Sequence, residues 1–362
     1  MLTDVPQRLP LAMTLAEYAA VRASHPQALR REYVKLFRDS DASPLPVTRS
    51  EEHGGVVKFC LDVGGGLETE SVIIPMDSYR GSQWHTLCVS TQVGCRMGCT
   101  FCETGRMGLV RNLSAEEIVA QRIVARQIRH ERIKTPTRPY SYYRDGIRNI
   151  VFMGMGEPLD NFDHLVRAIR VLNEPNGVSV PLTQMTVSTV GRVDGLRQLA
   201  EIVRREPTWA NLRIAVSLNA SNDSVRSQIM PINKSTPLSE LQRALLEYPL
   251  PRRGLFLIEY VMLAGINDSL EDADAVAEWC RPLRCVVNLI PYNPQRDAAY
   301  ATSDDDSVLR FLRRLRAHGI FVKRRVTQGR DLMGACGQLG NPALRRVRKT
   351  IANTDHGVAS EP

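Results

Sequence analysis

The chain predicts an α/β fold, a partial (β/α)6 barrel carrying a small N-terminal helical and β-hairpin extension. Three observations predict it. From about residue 85, apolar strand-like runs alternate six times with helical patterns, the rhythm of a parallel sheet with right-handed crossovers. No G-x-G-x-x-G follows the first of these strands, which disfavours a dinucleotide-binding sheet. Polar and glycine-containing sequences recur where the strands end, the rim on which barrels of this kind carry their chemistry.

Residues 1–50 read as a small helical accessory region. Leu15 to Val21 and Leu29 to Phe37 place apolar residues at helical spacing, and Ser24-His25-Pro26 interrupts them. A linker from Ser40 to Pro46 leads to the hairpin extension, 51–84. Its strands are Val56 to Val63 and Leu67 to Pro75, joined through Gly64-Gly65-Gly66. The core spans 85–340. Its strands are expected at 86–90, 149–154, 185–190, 212–218, 255–263 and 285–292. Its helices are expected at 114–130, 161–174, 192–206, 222–248 (broken at Pro231 and Pro237), 269–283 and 303–317. Ser114-Ala-Glu-Glu117 is a capping box opening the first of them. A last strand is expected at Phe321 to Thr327. Residues 341–362 read as a basic tail with the polarity of a disordered segment from Asn353.

Composition narrows the class. No apolar run approaches the roughly 18 residues of a membrane span, and the N-terminus lacks the charged-then-apolar layout of a secretory signal. Eight cysteines in 362 residues do not form a small disulfide framework, so a reducing cytoplasm is expected. The net charge of +8 gathers at 122–148, 310–325 and 345–349, which points to a polyanionic partner such as nucleic acid.

The chemistry centres on Cys95, Cys99 and Cys102, spaced C-x3-C-x2-C on one tight loop. Thiolates are soft ligands suited to zinc, copper and iron–sulfur clusters. Zinc needs a fourth ligand close by, and no Cys or His occurs in the next 27 residues before His130. A [4Fe–4S] cluster bound by three cysteines keeps one iron open, able to chelate an amine and a carboxylate together. On the same rim stand Gly156-Glu157 after the second strand, Ser188 after the third, Ser217-Leu218-Asn219 after the fourth and Asn293 after the sixth. Together they suggest a cofactor site. Cys60, Cys280 and Cys285 read as buried apolar cysteines. Cys336, flanked closely by Gly334 and Gly337, reads as an accessible thiol that could act as a nucleophile.

These residues reach a family. Cys88-Val-Ser-Thr-Gln-Val-Gly-Cys95, Phe101-Cys-Glu-Thr-Gly-Arg-Met-Gly108, Met153-Gly-Met-Gly-Glu-Pro158, Ile229-Met-Pro-Ile-Asn-Lys234, Ile258-Glu-Tyr-Val-Met-Leu263 and Ala335-Cys-Gly-Gln-Leu339 resemble the RlmN/Cfr family of radical S-adenosylmethionine (SAM) RNA methyltransferases. The resemblance covers about Glu70 to Leu339. It implies a radical SAM barrel, a [4Fe–4S] cluster on Cys95, Cys99 and Cys102, and two SAM molecules per turnover. Gly156, Glu157, Ser188, Ser217, Leu218, Asn219 and Asn293 would contact SAM. Cys336 would carry a methyl group that a SAM-derived radical activates for addition to an adenine ring carbon, carbon 2 or its rival carbon 8. Glu70 would accept the proton, and Cys88 would release product by forming a disulfide with Cys336. The implied partners are ribosomal or transfer RNA and an electron donor such as flavodoxin or ferredoxin, with the protein a monomer. Asn219 departs from the family's usual His, Met76 from its usual acid and Gly334 from its usual alanine. The region before Cys88 is shorter than in the ribosomal RNA enzyme.

Overall fold

The computed structural model describes residues 10–22, 24–38, 43–78, 83–132, 146–295 and 297–341. Helix α1 (Leu15–Ala20) opens on a reciprocal cap. The Thr14 side chain accepts from the Glu17 N–H, and Glu17 reaches back to the Thr14 N–H, satisfying two donors that a helix leaves orphaned. Helix α2 (Pro26–Arg38) begins on the proline read above as an interruption. Proline suits a first helical position because its missing N–H would have no partner there. Tyr18, Tyr33 and Phe37 join the two helices in a chain of tilted ring contacts.

Three antiparallel strands follow, β1 (Val47–His53), β2 (Val56–Asp62) and β3 (Glu68–Asp77). β3 pairs antiparallel with β4 (Gln83–Cys88), the first strand of the barrel. A small separate hairpin, β5 (Gln92–Gly94) with β6 (Leu109–Asn112), brackets the short helix α3 (Glu103–Met107). Then the β/α rhythm runs: α4 (Ala115–Arg132), β7 (Ile147–Phe152), α5 (Phe162–Asn173), β8 (Met185–Thr189), α6 (Val193–Arg205), β9 (Arg213–Ser217). It continues through α7 (Asp223–Ile229), α8 (Leu238–Glu247), β10 (Phe256–Met262), α9 (Leu270–Cys280), β11 (Cys285–Pro291), α10 (Asp305–Ala317) and β12 (Val322–Arg324). All ten long-sheet strands lie in the order β1-β2-β3-β4-β7-β8-β9-β10-β11-β12. The pairings from β4 to β12 are parallel. The six expected core strands and the alternating helices are therefore present, and the α/β barrel class holds.

Three expectations change. No strand is expected over Val47–His53, because all seven residues are exposed and no apolar alternation marks them; β1 exists there as an edge strand paired to β2. The last strand shrinks to Val322–Arg324, since only Val287 to Leu289 of β11 offers it a partner. The basic clusters are not continuous surface stripes. Arg122 is buried, Arg314 pairs with Asp274 at 2.6 Å and Arg324 with Asp305. Lys134, Arg138, Arg144, residues 345–349 and the tail expected from Asn353 lie outside the described residues. Among the described residues no helix is long and apolar enough to cross a membrane.

One buried amide fixes the extension to the barrel. Gln121, fully buried on α4, accepts from the Ser71 hydroxyl on β3 at 2.7 Å and from the Ser90 N–H at 2.8 Å. Its own amide donates to the Ser90 carbonyl at 2.9 Å. Ser90 in turn donates its hydroxyl to the Glu70 carbonyl and accepts from the Met155 N–H. These bonds hold the segment entering the cysteine loop against two strands at once. Replacing Gln121 with Leu strands a buried hydroxyl, an N–H and a carbonyl, each costing about 1–3 kcal/mol. A loss of at least about 2 kcal/mol is expected, read as a lower denaturant midpoint.

Candidate active site

The loop from Gly94 to Cys102 is shaped by glycines that nothing larger could replace. Gly94 has φ +74°, and a Cβ there would stand 1.9 Å from the Gly108 carbonyl oxygen, which accepts from the Cys95 N–H at 3.0 Å. A Cβ on Gly105 would meet the Cys99 carbonyl oxygen at 2.8 Å. The loop is tied outward by Arg96, paired with Asp160 beyond β7, and by the Thr100 N–H, donated to the Ile229 carbonyl at the end of α7. Cys95 and Cys99 are buried and Cys102 half-buried. Burial pushes all three thiols above the ordinary cysteine range, and the charge of neighbouring cysteines adds to it at Cys99. Bound metal would reverse that sign and hold them as thiolates. Among the described residues no three His, Cys, Asp or Glu side chains converge closely enough to share one metal ion.

The strand ends enclose a cavity of about 150 Å³ above this loop. Cys99, Cys102 and Cys336 line it together with Gly156, Glu157, Ser188, Ser217, Asn219 and Asn293. Residues spread over 237 positions between Cys99 and Cys336 thus face one space, as the rim reading expected. Leu218 does not face it. Its side chain is fully buried in the main apolar core, because alternation along the strand end turns it away from its neighbours Ser217 and Asn219.

Glu157 is the most constrained carboxylate. It follows Gly156, where φ is +104° and a Cβ would stand 2.6 Å from the Gln92 side chain. Its oxygens accept from the Leu159 N–H at 3.0 Å and the Val190 N–H at 2.8 Å, and it makes no ion pair among the described residues. Burial raises its pKa to about 7 despite those donors. Asn219 adopts φ +56°, accepts from the Val261 N–H at 2.8 Å and rests its amide 3.3 Å from the Met230 sulfur. Its small polar side chain tolerates the left-handed backbone.

The late cysteine is carried onto the cluster loop by main-chain bonds. The Glu103 N–H donates to the Gly337 carbonyl at 2.8 Å, and the Thr104 hydroxyl donates to the Leu339 carbonyl. The Asn293 amide donates to the Cys336 carbonyl at 3.2 Å, and the Gln338 amide to the Pro294 carbonyl at 2.8 Å. Cys88, at the end of β4, is buried close enough to Cys336 for negative charge on that neighbour to oppose its ionisation. Burial first, and that neighbour second, push Cys88 up to about 12. Two residues escaped sequence reading here. Arg325, grouped above with surface charges, instead lines the cavity, where Cys336, Glu259 and Cys88 all stabilise its charge. Glu259 stands 3.9 Å from it, accepts from the Asn288 amide at 2.9 Å and leaves its other oxygen without a hydrogen bond. Alternation along β10 could have flagged Glu259 as inward-facing. Nothing in a run of basic residues could have singled out Arg325.

Glu70 stands elsewhere. It is buried on β3 in a neighbouring cleft of about 210 Å³, 2.8 Å from the Lys58 ammonium, and accepts from the Gly340 N–H at 3.2 Å. Met333, Gln338 and Gly340 line that cleft while Cys336 and Gly337 line the cofactor cavity, so one loop walls both. Lys58 also donates to the Met333 carbonyl at 3.1 Å.

Known proteins share this arrangement. The family model of the radical SAM superfamily matches residues 89–280. A probable dual-specificity RNA methyltransferase RlmN 1 from Protochlamydia amoebophila is 38% identical over 325 residues, 90% of this chain and 83% of that protein. The RlmN of Lawsonia intracellularis is 38% identical over 90% of this chain and 86% of its own. The crystal structure of a radical SAM methyltransferase from Sphaerobacter thermophilus superposes with a TM-score of 0.79 at 34% identity, covering 91% of this chain and 98% of that one. The chain belongs to the RlmN family of radical SAM methyltransferases.

Membership implies SAM and a [4Fe–4S] cluster, and the residues fit both. Three thiol donors on one loop leave a corner of a four-iron cluster to another ligand, and Glu157 is a buried carboxylate waiting for a cation on the same cavity. Because the glycine turn shapes the thiol loop of this RlmN-family chain, Gly94→Ala is expected to cost more than about 2 kcal/mol through strain and clash. The check is thermal unfolding of the apo-protein together with iron content after reconstitution, and both should fall.

Proposed function

We propose that this protein methylates a ring carbon of adenosine, carbon 2, in ribosomal or transfer RNA, with Cys336 as methyl carrier. The observation that carries the reading is the docking of the Cys336 loop on the cysteine loop through Glu103 and Gly337, with Cys88 alongside. Relatives named as RNA methyltransferases supply the substrate class. Cys95, Cys99 and Cys102 would hold a [4Fe–4S] cluster, which when bound would supply the electron for reductive cleavage of SAM. The residues of the chain do the rest.

Glu157 holds the SAM ammonium by charge-assisted hydrogen bonding. Gly156, Ser188, Ser217 and Asn219 line the space around it, while Leu218 contributes its main chain and Asn293 positions the Cys336 loop. The Cys336 thiolate takes a methyl group from one SAM by displacement, with Arg325 steadying its negative charge before the sulfur is alkylated. A second SAM serves the radical step. An adenine carbon of this type is not nucleophilic, which is why a polar transfer fails and a carbon radical on the methylated sulfur is needed. Glu70 is the acceptor for the proton lost from the adduct. Cys88 then bonds to the Cys336 sulfur as that sulfur's bond to the transferred carbon breaks, freeing the product, and the odd electron of the adduct would return to the cluster when one is bound. The protein works as a cytoplasmic monomer fed by a flavodoxin- or ferredoxin-type donor.

Two outcomes are expected. Reconstituted Cys336→Ala protein should still form 5′-deoxyadenosine from SAM and reductant, while methyladenosine in RNA, measured by nucleoside mass spectrometry, drops below detection. Cys88→Ala should accumulate protein covalently joined to RNA. A Cys336→Ala protein that methylates RNA normally would sink the carrier role.

The pH dependence follows from Glu157. Its pKa in the folded protein, about 7, lies above the ordinary 4.5, so the folded state keeps the proton longer than the unfolded chain does. Stability therefore falls as pH rises from about 4.5 to 7, and a bound ammonium offsets that cost by pairing with the ionised form. SAM affinity measured by calorimetry should rise with pH through about 7. Glu157→Gln should weaken binding about tenfold or more and flatten that dependence.

A further inference from the structure

Arg226 is the largest side chain buried to 0% exposure. It lies on α7, and its guanidinium donates to four acceptors. These are the carbonyls of Leu218 at 2.9 Å, Ser217 at 3.0 Å and Val190 at 2.7 Å, and the Asn233 side-chain oxygen at 2.9 Å. All four are neutral. They satisfy the donors but do not cancel a charge removed from water, which is costly unless something negative stands near. No carboxylate bonds to it among the described residues. Asp223 stands one step away, joined to the amide of Asn233 at 2.9 Å.

Among the described residues Asp223 and Cys99 are the groups whose negative charge would favour the guanidinium, and Cys99 carries that charge once it ligates a cluster. The two segments are also fastened directly. The Thr100 N–H donates to the Ile229 carbonyl at 3.0 Å, and Pro231 stands 3.7 Å from where a Gly98 side chain would begin. α7 is therefore fastened to the thiol loop and carries a fixed, desolvated cation that does not line the cavity. Its bonds to the Ser217 and Leu218 carbonyls also fix the strand end that carries two expected SAM contacts.

We propose that Arg226 is the buried counter-charge of the iron–sulfur cluster and a positioning residue that raises the cluster's reduction potential. A cluster held by three thiolates is negative, and the electron it accepts makes it more so. A guanidinium held out of water and still charged at neutral pH favours the reduced form through the low-dielectric protein. Its carbonyl bonds at Ser217, Leu218 and Val190 keep it from swinging away. The inference rests on the cluster reading of Cys95, Cys99 and Cys102.

The test is an EPR-monitored potentiometric titration of the reconstituted full-length protein as wild type, Arg226→Gln and Arg226→Lys. The Gln variant should shift to a more negative midpoint, with at least a tenfold lower reduced-to-oxidised ratio at fixed applied potential. For a one-electron couple that is about 59 mV. The Lys variant, which keeps the charge and loses the fork, should stay near wild type. A Gln variant with a full cluster and the wild-type midpoint overturns the inference. Should the Gln variant take up no cluster, the Lys variant decides. Lys loading a cluster at the wild-type midpoint supports the charge role, and Lys failing as Gln does overturns it in favour of a purely structural role. Wild-type protein that takes up no iron fails the cluster reading itself, a separate result.

Discussion

The structure depends on one seam, where the loop around Cys336 lies on the loop around Cys102. Its bonds are between main-chain groups or from a short hydroxyl to a carbonyl, so it is specified by backbone geometry rather than by long flexible side chains. Thr104 and Leu339 are 235 positions apart in the chain. Only the closing of the parallel strands into a partial barrel brings such distant segments to one rim. Once the seam is made, the thiol that could carry a carbon and two of the thiols that could hold a cluster, Cys99 and Cys102, face one cavity, and the same loop divides that cavity from the cleft of Glu70.

Charge is the second organising constraint. The rim collects ionisable groups in places where water is scarce: Glu157, Glu259 and Arg325 around the cavity, with Arg226 behind it. Burial of a charge costs several kcal/mol unless a partner or a ligand offsets it. Arg325 finds its offset in Glu259 and the two thiols. Glu157 has the Val190 and Leu159 N–H groups and the Thr189 side chain but no ion pair among the described residues, which leaves its carboxylate poised between protonated and ionised near neutrality. Groups held in that condition are where a cofactor adds stability, because it brings the missing opposite charge.

Much of this was legible in the chain. The spacing of Cys95, Cys99 and Cys102 names a ligand set because three soft donors on one short loop suit the separate irons of one cluster. The core strands and helices could be placed within a few residues because each must bury an apolar face whose period is visible. β1 could not, since a strand exposed at every position carries no such period. Leu218 was grouped with its polar neighbours by adjacency, although alternation along an extended segment sends it to the core. Arg122 and Arg325 were counted as surface charges because a run of arginines does not reveal which of them turns inward.

The sequence by itself determined the fold class, the cysteine loop and the family, because local spacing and apolar periodicity are properties of neighbours along the chain. Only the tertiary structure decided which residues share the cavity with Cys99, Cys102 and Cys336, that Glu70 stands beyond the Cys336 loop with Lys58, and that among the described residues no carboxylate bonds to Arg226. Those outcomes depend on how strands from distant parts of the chain are brought side by side. They also depend on the exclusion of water that follows, and no window of adjacent residues contains either.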